Sequence, residues 1–265
     1  MTNAYSAVNL TGKVAAITGG TRGIGRGIAE AFLAAGASVA INGRNPEKGA
    51  NALTEMNAGD RAIFVAGDVT QQNDVENFID TTISTFDRID ILVNNAGGSS
   101  GFAPVSELSD DAWQEAATWI LHSAFWATRA ALKDMSTRNY GRIINISSVE
   151  GRQANKTNVS HYITFKHALN GFTKAVAFEW GSQGITCNAL SPGAVETDMM
   201  KLSGPAAAEA MGISYEAFLD SYAQDAAIKR LNTTDEVAAM ALLLASELGG
   251  GITGAILPID GGTAL

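Results

Sequence analysis

Two groups of residues, far apart in the chain, have the types and spacing of parts of one reaction site. The first is the glycine-rich segment 18–25 (TGGTRGIG), which directly follows the apolar run 14–17. The second is Ser148 with Tyr162 and Lys166. A glycine-rich turn between a strand and a helix receives the pyrophosphate of a dinucleotide, and a tyrosine four residues before a lysine can exchange a proton. Together the two groups indicate hydride transfer between a nicotinamide and a carbonyl or an alcohol.

Tyr162 needs help to move a proton at neutral pH, because the ordinary pKa of a tyrosine is about 10. Lys166 follows four residues later on a predicted helix, so the two side chains lie on one face. We expect the Lys166 ammonium and the positive charge of an oxidised nicotinamide to lower the pKa of Tyr162. Tyr162 would then be the general acid or base, and Ser148 would hold the substrate oxygen.

The glycines of the loop have separate mechanical tasks. Gly19 permits the tight turn, Gly23 lets the backbone approach the pyrophosphate, and Gly25 lets the following helix pack closely on the sheet. The N–H groups at the start of that helix then bind the phosphates. Ordinary turns also use glycine, but the strand before this loop and the amphipathic helix after it favour the dinucleotide interpretation.

The end of the second predicted strand bears on the choice of cofactor. NAD-binding proteins carry an acid there for the ribose hydroxyls, but segment 42–46 reads NGRNP and the first acid is Glu47. Arg44 could bind a 2′-phosphate, and Arg22 could add a second cation. The alternative is that both arginines are ordinary surface charges. The absent acid and the present arginine favour NADP(H) over NAD(H).

Two further strand ends are predicted to lie at the cofactor. Asp68 and Val69 end the third strand, where a carboxylate could accept a hydrogen bond from the adenine amine. Segment 94–97 (NNAG) suits a tight turn beneath the cofactor, although an ordinary turn explains it nearly as well. The cofactor residues predicted so far are Gly19, Thr21, Arg22, Gly23, Ile24, Gly25, Arg44, Asp68, Val69, Asn95, Ala96 and Gly97.

Short apolar runs alternate with helical stretches along the chain. The predicted strands are 14–17, 38–42, 62–66, 89–93, 142–146, 185–190 and 255–259. Several are continuously apolar, which is typical of strands buried on both faces of a parallel sheet. Longer helices are predicted over 110–136 and 159–182, and a shorter one over 235–246. The pattern predicts an α/β fold, with one doubly wound Rossmann-type parallel sheet and helices on both faces, in a single domain over residues 1–265.

Segment 194–230 interrupts this alternation. It is predicted to hold two weak helices, 206–211 and 215–223. Long excursions in compact domains tend to be lids or binding loops, so we expect a lid, with Gly193 and Gly204 as its hinges. A surface ornament is the alternative.

The composition bounds the class of protein. The 265 residues are 46% hydrophobic and 17% charged, with a net charge of −9 and one cysteine, Cys187. The negative charge argues against nucleic acid or an anionic membrane as a partner, and the single cysteine suits a reducing compartment. Segment 1–12 lacks the features of a signal peptide, and no apolar run approaches the roughly 18 residues of a membrane span. We expect a cytoplasmic protein with a small-molecule substrate and no metal ion.

The chain resembles the short-chain dehydrogenase/reductase family, in its compact branch of about 250 residues. The residues that carry the resemblance are the glycine-rich loop, Asp68, NNAG at 94–97, Ser148, YITFK at 162–166, Asn188 and PGAVET at 192–197. The resemblance implies that Ser148, Tyr162 and Lys166 are catalytic and that Lys166 also holds the cofactor ribose. It also implies that Thr197 and its neighbours Pro192, Gly193 and Val195 contact the nicotinamide, and that two helix pairs form a homotetramer or a dimer.

One position departs from the pattern of the family. The family usually places an asparagine just before a leucine in the long helix that follows Trp113, and here Ile120 precedes Leu121. Isoleucine cannot form a hydrogen bond, so the proton relay from Lys166 to solvent loses a link. We expect either that water bridges through His122 or a backbone carbonyl, or that activity is lower.

The resemblance to the family implies that the residues beside the reacting carbon are Ser148, Glu150, Gln153, Met199 and Tyr215. A carboxylate there would repel carboxylate substrates and favour hydroxyls or an amine, although Glu150 turned outward to solvent fits the sequence equally well. Segments 166–174 and 257–262 are similar to 3-hydroxybutyrate dehydrogenases, and a 3-oxoacyl-carrier-protein reductase is a second related alternative.

These residues favour an NADP(H)-dependent oxidoreductase that interconverts a secondary alcohol and a ketone (EC 1.1.1.-). A rival from another class is a sensor or scaffold that binds NADP without turning it over. Ile120 is the one residue in the sequence that favours this rival.

Overall fold

Within residues 8–263, the part of the chain that the computed structural model describes, seven parallel strands form one sheet. The strands are β1 (Val14–Ile17), β2 (Ser38–Gly43), β3 (Ala62–Ala66), β4 (Ile91–Asn94), β5 (Gly141–Ile146), β6 (Ile185–Pro192) and β7 (Ile256–Ile259). Their order across the sheet is β3-β2-β1-β4-β5-β6-β7, and every neighbouring pair runs parallel. The predicted doubly wound sheet is confirmed.

The helices are α1 (Gly23–Ala34), α2 (Pro46–Met56), α3 (Gln72–Phe86), α4 (Asp110–Ala116), α5 (Ser123–Met135), α6 (Ser160–Trp180), α7 (Asp198–Ala210), α8 (Tyr215–Asp225) and α9 (Thr234–Ala245). None of the helices within residues 8–263 is both long enough and apolar enough to cross a membrane.

Both faces of the sheet are covered, because successive residues of a strand point to opposite sides. In β1, Ala15 and Ile17 pack with Ile28 and Phe32 of α1 in a cluster that α9 completes. Ala16 belongs to a second cluster with residues from α3, α5 and α6. Continuous apolar strands are therefore needed to fill two cores at once.

Two predicted helices differ from the structure. The helix predicted over 110–136 consists of α4, a π segment (Ala117–His122) and α5. In the segment 194–230, the first helix begins at Asp198 rather than at residue 206 and continues through Pro205. Thr197 starts it, because its hydroxyl accepts a hydrogen bond from the N–H of Met200 at 3.3 Å.

The prediction of Gly204 as a hinge is wrong. Gly204 is buried within α7, and a Cβ atom there would lie 2.5 Å from Cε2 of Tyr215. Glycine at this position therefore lets α7 and α8 approach each other closely.

Candidate active site

A cavity of about 520 Å³ opens at the carboxyl edge of the sheet, around the ends of β1 and β4. This is the point at which the chain reverses its direction across the sheet, and ligands of such folds bind there. The predicted residues in its lining are Gly19, Thr21, Arg22, Gly23, Ile24, Arg44, Asp68, Val69, Asn95, Ala96, Gly97, Ser148, Tyr162, Lys166, Pro192, Gly193, Val195 and Thr197.

Gly25 lies behind the lining, where the loops after β1 and β4 are locked together. The Asn95 amide donates to the carbonyl oxygens of Thr18 at 2.9 Å and Gly19 at 3.1 Å. In return, the Thr18 hydroxyl accepts hydrogen bonds from the N–H groups of Asn95 and Ala96, both at 3.0 Å. A Cβ atom on Gly25 would overlap the Asn95 side chain and the Gly19 carbonyl. Glycine at position 25 therefore allows the loops after β1 and β4 to stay in contact.

The start of α1 presents backbone N–H groups to the cavity. Gly19 and Gly23 adopt φ values of 64° and 56°, in the left-handed region that favours glycine. Arg22 precedes the helix without capping it by its side chain. The Gly23 N–H donates to a carboxylate oxygen of Asp198 at 3.3 Å, so this helix end already holds an anionic oxygen.

Lys166 is almost fully buried at the inner end of the cavity. Its Nζ donates to the carbonyl oxygen of Ile146 at 2.7 Å and lies 5.6 Å from the centroid of the Tyr162 ring. Burial lowers the pKa of Lys166 from 10.5 to about 8, because few polar groups replace water around the ammonium.

Tyr162 does not have the lowered pKa that the sequence predicts. Enclosure by protein raises the pKa of its hydroxyl, and the negative charge of Glu150 raises it further. A hydrogen bond with Ser148 acts in the opposite direction, but it is weaker than the effect of enclosure. The prediction fails for the protein by itself, because the loss of water has the largest effect on this pKa and the expected attraction from Lys166 is not among its causes.

Ser148 and Glu150 occupy one short turn after β5. The backbone of Ser148 is extended, and its hydroxyl accepts a hydrogen bond from the N–H of Glu150 at 3.2 Å. Ser148 lines the cavity next to Tyr162, as predicted from the sequence.

Glu150 and Gln153 do not line the cavity. Glu150 is 3% exposed, so it is not turned outward to solvent either, and burial raises the pKa of its carboxyl. With the amide of Asn155 oriented to satisfy both neighbours, its nitrogen donates to Glu150 at 2.6 Å and its oxygen accepts from Gln153 Nε2 at 2.8 Å. Asn155 thus links the two predicted substrate residues, and neither of them lines the cavity.

Tyr215 also lies outside the cavity lining. Its ring packs against Gly204 and stacks on Phe218 at 6.3 Å, inside the α7–α8 pair. The Met199 side chain lies outside the described part of the structure. A contact between this pair and the loop after Ser148 comes from Lys156, whose Nζ lies 4.3 Å from the centroid of the Tyr222 ring.

Ile120 is buried in the π segment, in a small cluster with Ala124 and Leu169. A Cβ atom on Gly97 would lie 3.8 Å from Ile120 and 3.5 Å from Lys166 Nζ, so the isoleucine is close to the lysine whose proton relay it was expected to interrupt. His122 is exposed and contacts Trp126, with 5.9 Å between ring centroids, and it does not line the cavity. The predicted alternative relay through His122 is therefore not supported.

Sequence reasoning missed Trp119 and Glu115, which also line the cavity. Trp119 contacts Gly98 and faces Arg44, whose guanidinium carbon lies 6.0 Å from the centroid of the indole. Arg44 is 69% exposed and forms a long ion pair with Asp68 at 3.9 Å. The spacing of Trp119 from Trp113 gave no signal, because the π segment changes the helical register between them.

A segment after β7 braces the loops at the other end of the cavity. Arg152 forms an ion pair of 3.0 Å with the buried carboxylate of Asp260. The N–H of Gly193 donates to the carbonyl oxygen of Ile259 at 3.0 Å, and a Cβ atom at 193 would lie 2.9 Å from the Asp260 backbone. This close approach requires glycine at position 193 and leaves no sign there of the predicted hinge.

Comparison with known proteins identifies relatives that align with almost the whole chain. A model of the short chain dehydrogenase family matches residues 13–207. The chain is 36% identical to 3beta-hydroxysteroid dehydrogenase 2 of Eggerthella lenta over 255 residues, which cover 96% of this chain and 95% of the relative. It is also 36% identical to D-beta-hydroxybutyrate dehydrogenase of Cupriavidus necator, over 96% of this chain and 98% of the relative.

A solved structure is similar to the fold. The crystal structure of a variant of actinorhodin polyketide ketoreductase with NADPH matches with a TM-score of 0.89 and 33% identity, over 95% of this chain and 97% of that one. The sheet order, the glycine-rich loop and these matches lead to one assignment. The chain belongs to the short chain dehydrogenase family, whose members are oxidoreductases that use a nicotinamide cofactor.

Proposed function

We propose that this protein is an NADP(H)-dependent oxidoreductase that interconverts a secondary alcohol and a ketone. The observation that carries the proposal is that Ser148, Tyr162 and Lys166 line the same cavity as the glycine-rich loop. Neither group alone indicates the reaction. A proton donor beside a dinucleotide site is the combination that hydride transfer to a carbonyl requires.

The cavity suits a dinucleotide phosphate. The N–H groups at the start of α1 would bind the pyrophosphate, as the carboxylate of Asp198 on Gly23 indicates. Arg44, with Arg22 beside it in the lining, would bind a 2′-phosphate. When bound, the cofactor supplies a hydride in the reduced form or accepts one in the oxidised form.

Ser148 and Tyr162 would act on the oxygen of the substrate. In ketone reduction, the Ser148 hydroxyl holds this oxygen and the Tyr162 hydroxyl donates its proton to it. In alcohol oxidation, Tyr162 accepts that proton, which requires its ionised form. Lys166, fixed on the Ile146 carbonyl, would hold the ribose, and the positive charge of the oxidised cofactor would favour ionisation of Tyr162.

A sensor that binds NADP without turnover is the second candidate, and the buried Ile120 favours it. The absence of a polar side chain at this position interrupts the relay expected from the family. A sensor would bind the cofactor through the same loop and leave every substrate unchanged.

The test is a screen of ketones and secondary alcohols with both cofactors, read as the absorbance of the reduced nicotinamide. We expect turnover with at least one substrate and a preference for NADP(H). Replacing Tyr162 by phenylalanine should lower kcat by about 10²–10⁴-fold without weakening cofactor binding. Cofactor binding by calorimetry without turnover on the whole panel would support the sensor instead.

The proposal names only the class of the substrate, a secondary alcohol or the corresponding ketone. Relatives named for hydroxysteroid and D-beta-hydroxybutyrate oxidation support a secondary alcohol, and a 3-oxoacyl reductase or a 3-hydroxybutyrate-type dehydrogenase remains the nearest alternative. Including a hydroxysteroid, 3-hydroxybutyrate and a 3-oxoacyl thioester in the screen separates them.

We also propose a homo-oligomer, a tetramer or a dimer. Phe125 on α5 and Phe178 on α6 are 41% and 93% exposed, which is costly for aromatic rings in water. Light scattering gives the mass in solution. A monomer at micromolar concentration would refute this part of the proposal without affecting the chemistry.

A further inference from the structure

We propose that Asp198 is an internal competitor for the phosphates of the cofactor: its carboxylate occupies the start of α1 in the free protein and leaves when the cofactor binds. This inference rests on the proposed function, because it concerns how the NADP(H) site is filled before the cofactor arrives. It gives a role to a residue of segment 194–230 that the proposed chemistry does not use.

The amino end of α1 receives its anion from a distant part of the chain. The first turn of the helix contains no acidic residue, and the Arg22 side chain does not cap it. The Gly23 N–H instead donates to a carboxylate oxygen of Asp198 at 3.3 Å, across 175 residues of sequence. This carboxylate takes the N–H group and the partial positive charge that a phosphate would use. Asp198 and the pyrophosphate therefore require the same place.

Close packing at the start of α7 brings the carboxylate there. A Cβ atom on Gly23 would lie 3.5 Å from the Thr197 side chain, so the glycine-rich loop and the residue before α7 are in contact. Both residues line the cavity, and Asp198 follows as the first residue of α7. The carboxylate thus lies at the amino ends of two helices, and both stabilise its negative charge.

Asp198 can leave Gly23 without damage to α7. Thr197 already caps this helix, because its hydroxyl accepts a hydrogen bond from the N–H of Met200. Asp198 is exposed, so its carboxylate can turn into water when a ligand replaces it. A pyrophosphate carries more negative charge than one carboxylate and can meet several N–H groups of the loop, so it wins the competition. The cost of displacing Asp198 appears as weaker cofactor binding.

The competition depends on where a ligand carries its phosphates. NADPH and 2′,5′-ADP both have a phosphate on the 5′ side of the adenosine, which would reach the start of α1. The nucleotide 2′-AMP has only the 2′-phosphate, for which Arg44 is the proposed partner. Removal of the Asp198 charge should therefore strengthen binding of the first two ligands and leave binding of the third nearly unchanged.

The test is calorimetric titration of the wild-type protein and Asp198→Asn with these three ligands. Asparagine keeps the size of the side chain and removes its charge. We expect NADPH and 2′,5′-ADP to bind about three- to tenfold more tightly to the variant, and the affinity for 2′-AMP to change by less than about twofold. Asp198→Ala, which also removes the hydrogen-bond acceptor, should gain at least as much and serves if the asparagine variant fails to fold.

Glu196→Gln is the matched control. Glu196 lies two residues before Asp198, and its carboxylate is 4.0 Å from Lys201, outside the lining of the cofactor cavity. The substitution removes the same charge from the same segment and leaves the contact with Gly23 in place. We expect its affinity for NADPH to stay within about twofold of the wild-type value, because exposed charges at a distance are screened. A gain equal to that of Asp198→Asn would show that net charge, and not competition, sets the affinity.

Thermal unfolding gives the second measurement. In the free protein, Asp198→Asn loses a charge that two helix ends stabilise, so its unfolding temperature should lie below that of the wild-type protein. Saturating NADPH should narrow this gap, because the variant binds the cofactor more tightly and gains more stability from it. A gap of the same size with and without NADPH would overturn the inference, since Asp198 would then remain on Gly23 in the complex.

The possible failures can be told apart. If the wild-type protein binds neither NADPH nor 2′,5′-ADP, the proposed function fails and this inference fails with it. If the wild-type protein binds both but neither variant of Asp198 gains affinity, or the gain for 2′-AMP equals that for NADPH, the inference alone is overturned.

Discussion

Enclosure by protein raises the pKa of the Tyr162 hydroxyl, and the negative charge of the buried Glu150 raises it further. Glu150 is two residues from Ser148 and is surrounded by protein rather than water, so its charge is poorly screened. This relationship opposes the ionisation of Tyr162 that alcohol oxidation needs, and it favours the protonated tyrosine that ketone reduction needs. The turn after β5 thus favours the protonated form of Tyr162 in the protein without cofactor.

Replacing Glu150 by glutamine should lower the pKa of Tyr162, because the nearby negative charge disappears while the side chain keeps its size. In alcohol oxidation, kcat/KM falls as Tyr162 becomes protonated at low pH, and this acid limb should shift to lower pH in the variant. Gln153→Ala is the matched control, since it contacts the same Asn155 and changes no charge. An unshifted profile in Glu150→Gln would show that the carboxylate does not tune Tyr162.

Replacing Lys166 by methionine should reduce activity by at least about a hundredfold and yet stabilise the fold at pH 7. Burial lowers the pKa of Lys166 from 10.5 to about 8, and this difference corresponds to about 3 kcal/mol. Loss of the hydrogen bond to the Ile146 carbonyl returns about 1–2 kcal/mol of that. We expect the free energy of unfolding to rise by about 1–2 kcal/mol.

The sign of the effect depends on pH. Below pH 8 Lys166 is protonated in both the folded and the unfolded chain, so its full destabilising effect is present. Between about pH 8 and 10.5 the unfolded chain binds more protons, and the wild-type protein gains stability as pH rises. Denaturant titrations at pH 7 and 10.5 should therefore show the advantage of Lys166→Met disappearing. If the wild-type protein were more stable than Lys166→Met at pH 7, burial of the Lys166 ammonium would not destabilise the fold.

Replacing Ile120 by asparagine should leave turnover unchanged or raise it, because an amide next to Lys166 supplies the missing hydrogen-bonding group. The same change buries an amide beside Ala124 and Leu169, so it should destabilise the fold by about 1–3 kcal/mol. Ile120→Val, which adds no polar group, is the control. Turnover and thermal unfolding are both needed, since a large loss of turnover in a folded asparagine variant would reveal a positive role for isoleucine.

Replacing Arg44 by aspartate should lower the ratio of kcat/KM for NADPH to that for NADH by at least about tenfold, because a carboxylate repels a 2′-phosphate. Thermal stability should change little, since Arg44 is mostly exposed and its ion pair is long. Arg26→Ala is a useful control, because Arg26 pairs with Glu30 and Glu55 outside the cavity lining. An unchanged ratio in Arg44→Asp would exclude Arg44 as the 2′-phosphate ligand.

The sheet was predictable because several of its strands are continuously apolar, which is typical of strands buried on both faces of a parallel sheet. β1 and β4 are apolar at every position up to their ends, and a glycine-rich or asparagine-rich turn follows each. Because β1 and β4 run parallel, the turns at their carboxyl ends meet at one edge of the sheet, so most of the cavity lining follows from the sequence. Tight turns need residues such as glycine at particular positions, so the turns can be recognised from the residues within them.

The remaining site residues depend on contacts that the sequence does not contain. An α-helix and a π turn differ by one residue per hydrogen bond, so the positions of Trp119 and Ile120 were decided by packing. The sequence fits Glu150 facing either water or protein, and in the structure the carboxylate is buried within hydrogen-bonding distance of Asn155, a partner that the sequence does not indicate. The α7 helix was predicted too short because Pro205 usually ends a helix, and here it does not.

The ion pair between Arg152 and Asp260 limits where the chain can be truncated or tagged. A truncation that removes Asp260 would free Arg152 and withdraw the backbone against which Gly193 rests. We expect such a protein to fold but to hold its loops loosely, so purification tags belong at the opposite terminus and deletions should spare the final strand and the turn behind it.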